Sequence, residues 1–264
     1  MLRPRIIPCL LIHKGRLVKT QTFKSPKYLG DPINAVKIFN EKEADELMIL
    51  DIDATVNGVE PNYSLIAKLA AECRMPLSYG GGINSVEHAN RIIRLGVEKV
   101  AISAAAVVDP AIVSRIAKAV GRQSVVVVLD VRKKSGLLAK GYELCSHNAK
   151  MTHKLEPVAF ARAMQEAGAG EIVINSVDLD GSMKGYDLAL AQQMHEALRI
   201  PMTMLGGAGS LEDLVALICK CGVLGAAAGS LFVFKGKYRA VLINYPTAAE
   251  KDRICRSAGP SPTY

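Results

Sequence analysis

Gly80-Gly81-Gly82 ends one short apolar run, and Gly206-Gly207-Ala208-Gly209 ends another about half a chain later. Each glycine run leads into a helix start at a serine, Ser85 or Ser210, and then into a second apolar run. That second run ends at Ser103 in the first half and at Gly229-Ser230 in the second. A chain that repeats strand, glycine turn, helix and strand builds the same local structure twice. Glycine turns that open into helices also present backbone N–H groups to which a phosphate can bind. Leu50-Asp51-Ile52-Asp53 is echoed by Ser176-Val177-Asp178-Leu179-Asp180, each after a run that starts at an acid, Glu46 or Glu171.

Eight apolar runs read as strands: residues 5–11, 46–52, 76–79, 99–102, 124–131, 171–175, 201–205 and 225–228. They are continuous rather than alternating, as strands covered on both faces are. Helical spacing lies between them, for example Val113, Ile116, Ala117 and Val120, or Leu211, Leu214, Val215 and Ile218. Asp109-Pro110 and Glu156-Pro157 mark further helix starts. The pattern predicts an α/β fold, a (β/α)8 TIM barrel built from two similar half-barrels. Its length of 264 residues, half of them hydrophobic, suits one large core. The expected organisation is a single barrel domain over residues 1–256 and a disordered tail at 257–264. Two long connections, 14–30 and 132–155, follow strand C-termini, where lids and binding loops of such barrels lie.

Other features exclude function classes. Six cysteines form no C-x-x-C pair and read as reduced thiols of a cytoplasmic protein. Five histidines lack metal-ligand spacing, so no metal and no cofactor are expected. No run reaches membrane-spanning length, and the N-terminal run is too short for a signal peptide. The formal charge of +8 fits a basic surface or a small anionic substrate. Lys and Arg are scattered along the chain and Trp is absent, which argues against nucleic acid.

Several motifs together resemble the cyclase subunit of imidazole glycerol phosphate synthase. They are Arg5-Ile6-Ile7-Pro8-Cys9, Gly30-Asp31-Pro32, Asp45-Glu46-Leu47, Gly80-Gly81-Gly82-Ile83, Val127-Val128-Leu129-Asp130 and Gly168-Ala169-Gly170-Glu171. Asp180-Gly181, Gly206-Gly207-Ala208-Gly209 and Gly229-Ser230-Leu231-Phe232 extend the match over nearly the whole chain. The resemblance implies a glutaminase subunit on the N-terminal face, with ammonia passing through the barrel to a phosphorylated or nucleotide-linked substrate. It implies a general acid–base pair of aspartates at the ends of strands one and five. Asp130 holds the second position and Leu11 the first. Loss of one positioned acid or base costs about 10²–10⁴-fold. His13, two residues on, is the nearest group that would substitute.

The same resemblance assigns phosphate binding to Asp180, Gly181, Gly207, Gly229 and Ser230 in the second half, and to Gly82 and Ser103 in the first. Ala104 removes a side-chain donor, so the first-half site is expected to be the weaker. Lys19 and Phe23 fall in the loop that covers substrate in the family. Arg5, Glu46, Lys99 and Glu171 match an ammonia gate at the barrel bottom, and Glu98 a glutaminase-facing acid. An intact gate with half of the acid–base pair missing implies a paralogue that passes ammonia to a sugar. A separate sugar amidotransferase would activate that sugar for lipopolysaccharide O-antigen. An ordinary cyclase of histidine biosynthesis and a catalytically silent, glutaminase-activating barrel are the alternatives.

Overall fold

In a computed structural model, which describes residues 3–136 and 140–257, eight parallel strands close into a barrel. They are β1 (Arg5–His13), β2 (Leu47–Asp51), β3 (Leu77–Gly80), β4 (Lys99–Ile102), β5 (Val125–Lys133), β6 (Glu171–Ser176), β7 (Met202–Leu205) and β8 (Gly225–Ala228). Sequential neighbours pair throughout, and β1 pairs with β8, with Arg5 opposite Gly225. Closure leaves the barrel itself no unpaired edge. Residues 258–264 of the expected tail lie outside the described residues.

The helices begin where local chemistry dictates. Glu156 caps the helix Pro157–Ala167 by accepting from the N–H groups of Val158 and Ala159. Ser210 and Asp213 form a reciprocal capping box on Leu211–Cys221. Ile112, Val113, Ile116 and Ala117 form the buried stripe of Ala111–Val120. These helices bury the outward faces of the strands, while Ile7, Met48, Val126, Val173 and Ala227 fill the interior. Burial on both faces is the physical reason that the strand sequences do not alternate.

The two long connections are not irregular loops. Residues Arg16–Gln21 pair antiparallel with β1 and with Lys24–Gly30. Residues Tyr142–Ser146 pair antiparallel with β5 and with Met151–His153. The first ribbon turns at Lys14 (φ 49°) and Gly15 (φ 70°), the two-residue turn that matches strand twist.

At the barrel bottom Arg5, Glu46, Lys99 and Glu171, the residues expected to form a gate, meet. The Arg5 guanidinium donates to Glu46, and its Nη2 donates to Glu171 Oε1 at 2.7 Å. Lys99 Nζ donates to Glu46 Oε1 at 2.8 Å and to Glu171 Oε2 at 2.9 Å. Ser78 Oγ donates to Glu46 at 3.0 Å and Thr203 Oγ1 to Glu171 at 2.5 Å. Burial pushes the Glu171 carboxyl up, but Arg5, Lys99 and Thr203 outweigh it and bring its pKa down to about 2 from 4.5. This contribution to stability is complete above the unfolded value and is lost as pH falls through the folded one. We predict that Glu171→Gln is less stable by about 3–5 kcal/mol at neutral pH, since it leaves buried cations underpaired. In chemical denaturation the gap to wild type closes as pH approaches 2; a gap independent of pH contradicts this account.

Candidate functional site

A cavity of about 380 Å³ opens at the C-terminal end of the barrel. Its lining includes Leu11, Asp51, Gly82, Ser103, Ala104, Asp130, His147, Asn148 and Asn175. The strand order places them: Leu11, Asp51 and Asp130 stand at or near the ends of β1, β2 and β5. Gly81 has φ 121°, and a Cβ there would meet the Asp51 carbonyl oxygen at 2.4 Å, so only glycine closes this turn.

Asp130 sits deep in this cavity. Its carboxylate accepts from Asn175 Nδ2 at 2.9 Å. Burial pushes its pKa up to about 7; the Asn175 bond opposes this shift and the Asp180 charge adds to it. Such a carboxyl exchanges protons at neutral pH. Leu11 lines the same cavity and supplies no proton. His13 does not take its place: it is held by Asp53, with Nδ1 at 2.7 Å from Oδ1, and does not line the cavity. Asp51 accepts from the N–H groups of Asp53 and Ala54, and burial raises its pKa above the ordinary value.

His147 was not singled out by the sequence. His147, Asn148 and Ala149 all have φ between 54° and 59°, a left-handed run of three non-glycine residues. Such backbone costs about 1–3 kcal/mol per residue and persists only where the surroundings hold it. Ser146 Oγ lies 2.9 Å from His147 Nδ1 and 2.8 Å from His153 Nε2. Asn148 Nδ2 donates to the Ile52 carbonyl at 2.9 Å, which ties the second ribbon to the end of β2. The signal for this turn was the tract Ser146-His147-Asn148-Ala149, in which Asn tolerates the left-handed region.

The two candidate phosphate sites differ in access. Gly82 and Ser103 face the open cavity. In the second half, Lys19 is buried and its Nζ lies 2.7 Å from Asp180 Oδ1. Thr20 Oγ1 donates to Asp180 Oδ2 at 3.2 Å. The lysine stem runs against Gly229, and the Ser230 hydroxyl is buried with no hydrogen-bond partner among the described residues. Gly181 packs on the Thr20 carbonyl, and Gly207 on that of Gly185. The first ribbon therefore covers the second-half site, and Lys19 takes the place from which a cation would meet an anion. Phe23, from the same ribbon, reaches the cavity wall. Among the described residues, no cluster of His, Cys, Asp or Glu could hold a metal ion, and no helix is long and apolar enough to cross a membrane.

The raised Asp130 pKa sets the sign of a stability prediction. A carboxyl raised from 3.8 to about 7 leaves folding unpenalised at low pH and penalises it as pH rises through the folded value. Asp130→Asn is expected to melt higher than wild type at pH 8, by roughly 2–4 °C per kcal/mol of relieved charge burial. The advantage disappears near pH 4; equal melting temperatures at both pH values overturn the assignment.

The family model described as histidine biosynthesis protein matches residues 5–239. A relative from Vibrio vulnificus (strain YJ016), under the provisional name imidazole glycerol phosphate synthase subunit hisF3, is 53% identical over 253 residues, 96% of each chain. One from Pseudomonas aeruginosa PAO1, provisionally subunit hisF2, is 52% identical across 96% of this chain and 99% of its own. Imidazole glycerol phosphate synthase subunit HisF of Hyphomonas neptunium is 40% identical across 89% of this chain and 91% of its own. Together with the closed barrel and the cavity at its C-terminal end, these matches place the chain in the histidine biosynthesis protein family, among the HisF-like imidazole glycerol phosphate synthase cyclase subunits.

Proposed function

We propose that this chain is the ammonia-receiving barrel of a glutamine amidotransferase. A glutaminase docks at its N-terminal face, beside Glu98 and the ring of Arg5, Glu46, Lys99 and Glu171. Ammonia passes through the apolar interior to the C-terminal cavity and onto a sugar. A separate amidotransferase activates that sugar, and the amidino product serves lipopolysaccharide O-antigen.

The observation that carries this reading is the pairing of a complete ring with an incomplete acid–base pair. The ring closes the barrel bottom with two cations on two acids. Above it Ile7, Met48, Val126 and Val173 offer no charge, so a neutral ammonia molecule is favoured over ammonium. At the other end Leu11 stands where the cyclases have a carboxylate. A conduit needs a dry interior more than it needs a second acid.

The second reading is cyclase activity on an aminoimidazole-carboxamide ribonucleotide precursor. Asp130, near its midpoint at neutral pH in the open cavity, favours it. Purified chain with free ammonium salt separates the two. We expect no imidazole glycerol phosphate from wild type, and amidino sugar from glutamine only when glutaminase, this chain and the sugar amidotransferase are combined. Cyclase turnover by wild type decides for the second reading. We also expect Lys99→Ala to leave glutamine hydrolysis active but to cut nitrogen transfer by about tenfold, the scale of a 1.4 kcal/mol defect. Undiminished transfer through the altered ring argues for a barrel that only activates its glutaminase.

A further inference from the structure

Two segments of the chain carry basic residues and no acid. Residues 14–30 and 234–241 contain eight of the 33 Lys and Arg residues and no Asp or Glu. The other 25 basic and 25 acidic residues balance in number, although residues 132–154 hold six basic residues and one acid. The basic residues look scattered in the linear chain, but the fold gathers these two segments. Residues 14–30 form the ribbon that follows β1, and Phe234–Lys235 pairs with Ala240–Val241 in a second ribbon. Lys27 Nζ donates to the Arg239 carbonyl at 3.1 Å and lies 5.0 Å from the centre of the Phe234 ring, which joins the ribbons.

Lys19 is the one buried cation of the set, and Asp180 neutralises it. Lys14, Arg16, Lys24, Lys27, Lys235 and Lys237 are exposed. Among them stand exposed apolar groups: Tyr28 at 58%, Tyr238 at 86%, and Val241 and Leu242 at nearly half. Lysine and proline on Lys24–Gly30 would serve to keep an edge strand from pairing. That explains Lys24 and Lys27. It does not explain Lys235, Lys237 and Arg239 on the other ribbon, or the absence of any acid from both.

We propose that the two ribbons form a docking surface for an acidic protein face, and that this protein carries the acceptor to the cavity mouth. The inference rests on the reading that ammonia leaves at this end of the barrel. The first ribbon links the two places, since Thr20 and Phe23 line the cavity while Lys24 and Lys27 face outward. A patch of one sign steers an oppositely charged partner toward it. Exposed tyrosines and aliphatics beside it supply the apolar contact that phosphate-backbone binding does not use. Arg16 stacks on Tyr28 and Lys237 on Tyr238, so each ring already has a cation on one face, which favours a protein partner over stacked bases.

The test uses the three-protein system, with the sugar amidotransferase as the probe. The variant Lys24→Glu/Lys237→Glu alters two exposed side chains that make no hydrogen bond to another described residue. Wild type is expected to bind the amidotransferase, with affinity that falls between about 50 and 300 mM salt as screening lengths shorten. The double variant should bind about tenfold or more weakly at low salt, lose most of the salt dependence and stimulate the glutaminase as wild type does. A variant that binds equally well overturns the proposal, as does a wild type that binds only single-stranded RNA or anionic vesicles. Absence of amidotransferase binding with intact glutaminase stimulation also overturns it and leaves the ammonia gate standing. Absence of glutaminase stimulation by wild type instead rejects the ammonia reading itself, and the surface is then judged on amidotransferase binding alone.

Discussion

Four charges taken out of water at the barrel bottom are the constraint around which the rest is arranged. Each buried ion costs several kcal/mol unless a partner compensates it. Glu46 and Glu171 each accept from both Arg5 and Lys99, with Ser78 and Thr203 satisfying further lone pairs. Three of the charges come from the first half and Glu171 from the second, so the ring also ties the half-barrels together. It sums to zero charge, and the interior above it is apolar. An ion entering from below would meet both a closed ring and a medium that cannot solvate it.

The duplicated halves are not used alike. Each ribbon leans over the half it does not belong to. The first reaches Asp180 through Lys19, Thr20 and the N–H of Thr22. The second reaches Ile52 through Asn148. The exchange is reciprocal, but its result is not. A long cationic side chain fills the second-half site, and a strained turn with a histidine rims the first. The asymmetry comes from side-chain length and charge, which a repeat of glycines does not encode.

That difference marks the limit of what was legible. All eight strands stood out because burial on both faces leaves an uninterrupted apolar run, and β4 and β8 fall on the expected residues. Helix starts were legible because capping is local chemistry. The charge ring was legible only through the family resemblance, since a single charge at a strand start is ordinary. The ribbons were not read as strands, although Lys14-Gly15 between two apolar runs is a hairpin signal. His147 stayed hidden because its place in the cavity wall depends on where a ribbon folds, and His13 drew attention because it is near Leu11 in sequence. In space His13 belongs to Asp53.

Leu11 has a physical consequence for Asp130. It places hydrocarbon in the wall of the cavity that holds Asp130. Low local polarity favours the neutral carboxyl, and only the Asn175 bond among the leading influences resists that shift. A second carboxylate at the same level would add a like charge and raise that pKa further. With leucine there, Asp51 is the other carboxyl of the lining, and Asp130 stands near its midpoint at neutral pH. Such a group can accept a proton from nitrogen as it bonds to carbon and return that proton to the atom that loses the carbon–heteroatom electron pair. The leucine thus leaves its part of the wall uncharged, while Asp130 and Asp51 remain as the carboxyls of the lining.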